Sequence, residues 1–181
     1  MQRDISNIDR ILENTRNNDI IWKKSKLMEM FKADPDLATE LGWVKGANTE
    51  KEKENYIIPW LKLNGIQKNV QNYIMFDIDD TDVSYTNNVI KNQYLIVMCL
   101  VHEDDMVTQY GIDYKIPRTD LLAYIVKDLL CWTNTLGMQL KCVNDFQDIV
   151  DSKYYARTLK FKIEAPNNVQ GGGNRYDRFT I

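Results

Sequence analysis

The stretch Tyr94-Leu95-Ile96-Val97-Met98-Cys99-Leu100-Val101 decides the fold. It holds eight apolar residues in succession, rich in β-branched and aromatic types, between polar segments. That composition suits a strand better than a helix. Alternation puts Leu95, Val97, Cys99 and Val101 on one face and Tyr94, Ile96, Met98 and Leu100 on the other. Both faces are apolar, so the strand is expected to be central in its sheet or to lie at a subunit interface.

A polar loop, His102 to Pro117, follows the run, and after it comes the strongest helical pattern in the chain, Thr119 to Leu136. Leu121, Leu122, Ile125, Val126, Leu129, Leu130 and Leu136 recur at three- and four-residue spacing and make one wide stripe. Ala123, Lys127, Asp128, Cys131 and Asn134 fall on the other side. Thr119 is the expected N-cap, Asp120 suits the positive end of the helix dipole, and Gly137 is placed to end the helix. The helix should therefore cover something flat and apolar, with the preceding strand as the natural candidate.

Upstream, residues 1–44 read as an N-terminal helical segment. Ser6 can cap a helix bearing Ile8, Ile11 and Leu12, and Asn17-Asn18-Asp19 breaks it. Ile20, Ile21, Trp22, Leu27, Met28, Met30 and Phe31 form a second cluster. Asp34-Pro35 restarts a helix, with Asp as N-cap and Pro at the first helical position. Leu37 and Leu41 supply its inner face and Gly42 stops it. Residues 45–55 (KGANTEKEKEN) read as a charged, solvated loop. Residues 56–165 are the expected core domain. Pro59 breaks the apolar residues 56–65 into a short edge strand or an irregular segment. Tyr73 to Asp79 alternates, with Ile74, Phe76 and Ile78 inward and Tyr73, Met75, Asp77 and Asp79 on a wet face. The polar connection Asp80 to Asn92 has no helical pattern, which favours antiparallel pairing over a βαβ crossover. Gln139 to Asn144 reads as a short strand, Phe146 to Ser152 as a connection, and Ala156 to Ala165 as a last strand. Residues 166–181, with Gly171-Gly172-Gly173, form a Gly-rich C-terminal arm. The expected fold is α+β: an antiparallel sheet of about four to five strands packed by one long helix, with the helical N-terminal segment.

Composition narrows the function classes. With Lys and Arg totalling 23 against 26 for Asp and Glu, the net charge is -3, which provides no general attraction to nucleic acid or anionic membranes. No apolar run approaches the roughly 20 residues of a membrane-spanning helix, and the polar start predicts no secretory signal. Cys99, Cys131 and Cys142 form no CxxC pair, so they read as small hydrophobes in a reducing cytoplasm.

Catalytic parts are scarce. His102, the one histidine, precedes Glu103, Asp104 and Asp105, and the group reads as a solvated turn more readily than as a metal site. A single histidine leaves little material for a triad. The triple glycine follows no strand-to-helix turn and lacks the GK[ST] ending of a phosphate loop. Phe76-Asp77-Ile78-Asp79-Asp80-Thr81 matches the DxDxT signature of haloacid-dehalogenase-type phosphotransferases. That resemblance implies a magnesium-dependent phosphatase with Asp77 as nucleophile and Asp79 as acid. The family needs parallel strands each followed by a helix, and here the next element is another strand. The wet side of a half-buried strand also accounts for both carboxylates. The expectation is therefore of no enzyme, with no catalytic residues, no cofactor and no metal.

The order of elements from Tyr73 to Ala165 resembles the tail-terminator and related head-to-tail joining proteins of tailed bacteriophages. The residues that carry the resemblance are Tyr94 to Val101, Arg118-Thr119-Asp120-Leu121-Leu122 and Tyr155-Ala156-Arg157-Thr158-Leu159-Lys160-Phe161. It implies a structural virion protein forming a homo-oligomeric ring, hexamer or dodecamer, at the head–tail junction. Its partners would be copies of itself and other neck and tail-tube proteins, with DNA passing without specific binding and no membrane involved. A head-closure or adaptor ring protein is the neighbouring alternative. Asp77, Asp79, Asp80 and Asp82, or Glu103 to Asp105, would then give an acidic lumen that repels phosphate.

Overall fold

A computed structural model describes residues 20–42, 56–61, 70–79, 90–108, 115–134, 136, 140–151 and 153–166. Among them the helices are α1 (Ile20–Ala33), α2 (Pro35–Glu40) and α3 (Arg118–Trp132). The strands are β1 (Ile57–Ile58), β2 (Tyr73–Asp79), β3 (Ile90–His102), β4 (Val107–Thr108), β5 (Ile116–Pro117), β6 (Lys141–Asp151) and β7 (Tyr154–Pro166). The Ser6 helix, the charged loop 45–55, the acids Asp80 and Asp82, Gly137 and the Gly-rich arm lie outside the described residues.

The fold is α+β. Five strands form one sheet in the order β1-β2-β3-β7-β6. β2, β3, β7 and β6 pair antiparallel, and only the two-residue β1 runs parallel to its neighbour. The apolar run is central, as both of its apolar faces require. Leu95, Val97, Cys99 and Val101 are fully buried on the side that faces the helices. Ile74, Phe76 and Ile78 from β2 and Leu159, Phe161 and Ile163 from β7 share that side by register. β4 and β5 form a separate small ribbon leading into α3.

Several details differ from the sequence reading, each for a local reason. α3 begins one residue before Thr119, with Pro117 at the cap position and no side-chain cap bond. Thr119 is instead wholly buried in the first turn. The helix stops at Trp132, because Thr133 is extended and its hydroxyl donates back to the Leu129 carbonyl. Leu136 is buried outside the helix. The inner face of α3 is Thr119, Leu122, Ala123, Val126 and Leu130, with Ile125 and Leu129 on its flank. Ala123 thus faces inward, opposite to its assignment by hydrophobicity, because a small side chain lets a helix approach a sheet closely. Tyr73 and Met75 are buried too, so only Asp77 and Asp79 keep the outer side of β2 wet.

β6 is the largest departure. It continues through residues expected to form a connection and ends at Asp151. Register shifts between Cys142 and Asn144 and between Ile149 and Asp151 interrupt its alternation. A β-bulge removes the period-two signal by which strands are read from sequence.

The N-terminal helices are part of the main core. Leu27, Phe31, Leu37 and Leu41 are buried in it, and the Phe31 ring meets Phe76 edge-on at 5.5 Å. Asp34 caps α2 as expected, its Oδ1 accepting from Asp36 N at 3.1 Å and Leu37 N at 2.8 Å. Gly42, at φ 80°, supplies the left-handed residue after it.

Candidate functional site

Among the described residues, polar side chains gather at two places, each an ion-pair network that joins several elements. The first lies where the C-terminal end of β3 meets the starts of β2 and α3. Arg118 is its hub. Its Nη1 donates to Glu40 Oε2 at 2.9 Å and to the Glu40 carbonyl at 3.1 Å, and its Nε donates to the Asp105 carbonyl at 2.9 Å. Asn72 donates to the Glu40 carbonyl and the Asp105 carboxylate, and accepts from the His102 backbone N–H at 3.3 Å. Glu40 is buried, and that burial raises its pKa against the opposing pull of Arg118, with Asp105 and Asp36 adding to the rise. The cluster ties α2, β2 and β3 to the start of α3.

His102 belongs to this end of the sheet. The expected solvated turn is a correction: the imidazole is buried, packed edge-on against Tyr154 at 5.1 Å, and Nδ1 accepts from Asp104 N at 3.2 Å. Tyr154 in turn lies 6.3 Å from Tyr73, whose hydroxyl is pushed up to about 12 by burial and by Tyr154. Glu103 to Asp105 form one turn of 3-10 helix just beyond. Among the described residues, no group of three or more His, Cys, Asp or Glu side chains could hold a metal ion.

The second gathering joins α3 to β6 and β7. Arg157 grips Asp145 through Nε at 2.7 Å and Nη2 at 3.1 Å, and also reaches Asp120. Lys127 closes on the same Asp145 carboxylate. Asp145 is held below the usual carboxylate range, first by the Arg157 hydrogen bonds and then, against burial, by Lys127. Arg157 itself is raised by Asp145. Cys99 pairs with Arg157 across β3 and β7, and burial pushes its thiol up to about 12.

The residues singled out by sequence are dispersed. Asp77 is bound by Lys24 of α1 at 2.6 Å and accepts from its own neighbour Ile78 N. Asp79 is exposed one step further along β2. In the antiparallel register Asp79 sits opposite Tyr94, eight residues along β3 from His102, which adjoins Glu103 to Asp105. The described acids Asp77 and Asp79 therefore lie toward the opposite end of β2 from Glu103 to Asp105. Sequence reasoning missed the Arg118 and Arg157 networks. Each joins residues from three or four elements, and the pairs are separated by up to 78 positions.

The face of the sheet away from the helices carries a second apolar cluster of Tyr73, Met75, Leu100, Tyr154 and Ala156, flanked by Ile58, Met98 and Val150. Beyond it Tyr94 lies under Lys160, whose ammonium is 4.1 Å from the ring centre. Among the described residues no helix is long and apolar enough to cross a membrane.

The fold and its polar networks define a small two-layer α+β protein in which charge joins elements together. The chain belongs to the YomW family, a family of phage type, whose model matches residues 6–163. No curated protein matches it.

Proposed function

We propose that this phage-type protein is a structural virion component that forms a ring at the head–tail junction of a tailed phage, as a tail terminator or neck connector. The observation that carries this reading is the doubly apolar β3 at the centre of the sheet. Its helix side is filled by α1, α2 and α3. Its other side presents Tyr94, Ile96 and Met98, all half-buried, beside Lys160. A ring subunit needs more than one contact surface, and the half-buried end of this second face, Tyr94, Ile96 and Met98, is suited to be one of them. Further copies of the chain, in a hexamer or dodecamer, are the first partners, followed by other neck and tail-tube proteins. DNA passes without specific binding. No catalytic residue, cofactor or metal enters this reading. A head-closure or adaptor ring protein is its nearest variant.

Opposed to it is the phosphatase reading built on Asp77 and Asp79. Two observations favour the structural role. β2 pairs antiparallel with β3, and Lys24 already neutralises Asp77. The acidic lumen becomes a choice between ends, either the Asp79 end or the Glu103-to-Asp105 end.

Electron microscopy and mass measurement of the purified chain, alone and with tail tubes of the same phage, test the proposal. Rings, or a monomer that caps tube ends, are expected. A chain that stays monomeric and never associates with tubes overturns it. Phosphatase activity abolished by Asp77→Asn would overturn it in favour of the enzyme.

A further inference from the structure

α3 runs against β6 in the opposite direction, and three contacts fix how the two are aligned. Asp120, near the start of the helix, bonds Arg157, the β7 residue paired with Gln147 of β6. Lys127, two turns on, bonds Asp145. At the last turn the backbones themselves meet, with Leu140 N donating to the Leu130 carbonyl at 3.4 Å. The helix therefore closes on the strand toward its C-terminal end, from a contact through a long side chain at Lys127 to main chain against main chain at Leu130.

Cys131 and Cys142 stand beside these last two contacts. Cys131 lies four residues after Lys127, on the same flank of α3. Cys142 pairs with Phe161 and Asp145 with Leu159, two residues apart on β7, so the bulge between Cys142 and Asn144 keeps both side chains on the helix side of β6. Four helix residues and two strand residues cover about the same distance, roughly 6–7 Å. The step that takes Lys127 to Cys131 thus takes Asp145 to Cys142. A disulfide needs Cα atoms within about 7 Å of each other, and a direct backbone contact one residue before Cys131 and two before Cys142 brings the chain into that range. Both cysteines pack against the main core, both are partly covered, and both are free thiols. Burial raises the Cys142 thiol, Lys127 opposes the rise, and the nearness of Asp145 and of Cys131 adds to it. Cys99 is no rival partner: β7 lies between it and β6, and it is paired with Arg157, four positions from Phe161.

We propose that Cys131 and Cys142 are a redox pair, and that a disulfide between them staples the last turn of α3 to the start of β6 when the chain meets a small disulfide such as glutathione disulfide. One cysteine, as thiolate, attacks a sulfur of the glutathione disulfide, whose S–S bond breaks and releases one glutathione thiolate. The other cysteine thiolate attacks the protein sulfur of the mixed disulfide and releases the second glutathione. The two protein thiols lose two electrons and two protons. The electrons reduce the glutathione disulfide, and the protons end on the two glutathiones. A reducing cytoplasm holds the pair as thiols. For a virion component, as proposed above, oxidation follows release from the host. The pair itself rests only on contacts within one chain.

The test takes the full reduced chain through a series of glutathione redox buffers, native and in urea, with intact mass as the readout. The native product should be a monomer two hydrogens lighter, free of glutathione adducts, with an unchanged circular dichroism spectrum. Trypsin cleaves after Lys127, Lys141 and Lys153, so residues 128–141 and 142–153 should be recovered joined and should part on reduction. The native fold should favour the disulfide at least about tenfold over the unfolded chain, because the fold holds the thiols together. Cys131→Ser and Cys142→Ser should each stop at a mixed disulfide or stay reduced, and never give the lighter monomer. A native chain that stays reduced throughout, one that carries glutathione on both cysteines, a joined pair that includes Cys99, or a native preference short of tenfold overturns the proposal. Rings and the staple are read separately. A disulfide without rings or tube capping leaves the staple standing and the ring reading overturned, and rings without the disulfide do the reverse.

Discussion

Arg157 and Asp145 lie across the β6–β7 pair with two hydrogen bonds between them, at 2.7 and 3.1 Å. This is the bidentate geometry in which a guanidinium and a carboxylate bind most strongly. Asp120 and Lys127 extend the pair onto α3, so one network fixes both the helix and the outer strand. Replacing Arg157 by Met leaves Asp145 with Lys127 alone and Asp120 without this partner. The groups are partly exposed, so the loss falls below that of a fully buried pair, at about 1–3 kcal/mol. Thermal melting should fall by about 2–4 °C for each kcal/mol in a chain of this size. No change in melting would show that the network contributes nothing.

The same carboxylate sets an acid limit. Because Asp145 is held below its ordinary value, its contribution is fully present above the unfolded pKa. It is lost as pH falls through the folded pKa. Asp145→Asn should therefore remove part of the stability gained between strongly acidic solution and about pH 4–5, the range in which an unfolded Asp titrates. Urea titrations at several pH values measure it. A wild-type-minus-variant difference that is flat over this range contradicts the assignment.

Glu40 acts with the opposite sign. Burial raises its pKa, so the folded state favours the protonated form. Its contribution is full below the unfolded pKa and is lost as pH rises through the folded one. The stability difference between wild type and Glu40→Gln should shift against the wild type as pH rises from about 4.5, the region of an unfolded Glu. The glutamine still offers an acceptor to Arg118, so the fold should persist. A difference that instead grows in favour of the wild type above that pH would mean Arg118 outweighs burial.

Phe31→Ala tests whether the N-terminal helices belong to the core. The ring is fully buried and meets Phe76 edge-on. Truncating a buried Phe costs about 3–5 kcal/mol. If α1 were an appendage, the loss would be confined to α1 itself. The expected result is a single cooperative transition at lower denaturant, followed by both far-ultraviolet and tryptophan signals. Two separate transitions would show that the helices form a unit of their own.

Thiol reactivity reads the packing of β3 directly. Cys99 is wholly buried and its pKa is pushed up to about 12, whereas Cys131 and Cys142 are only partly covered. The thiolate is the reactive form, so Cys99 is protected twice. An aromatic disulfide reagent should titrate two thiols in the native chain and three in denaturant. Rapid labelling of all three under native conditions would mean that α3 opens from the sheet.

Tyr94 to Val101 was legible as a strand with two apolar faces, because eight apolar residues in a row leave no wet side. Its place in the middle of an antiparallel sheet followed from that and from the lack of a helical pattern in the sequence Asp80 to Asn92. Asp34-Pro35 was legible as a helix start because capping is local chemistry. The α3 stripe was legible in outline and rotated in detail. Ala123 faces inward and Leu121 does not, since size as well as hydrophobicity decides how closely a helix seats. β6 was half missed because its bulges break the alternation that marks a strand.

By itself, then, the sequence determined what short-range physics determines: an apolar central strand, an amphipathic helix and a capped second helix. Only the tertiary structure decided the rest. It brought Arg118 to Glu40 and Arg157 to Asp145, took His102 out of solvent onto Tyr154, and separated Asp77 and Asp79 from Glu103 to Asp105 along β2 and β3. It also left β6 on the outside with Val143, Phe146 and Ile149 exposed. Each of these depends on which strand lies beside which, and that is set by packing between residues far apart in the chain, where periodicity carries no information.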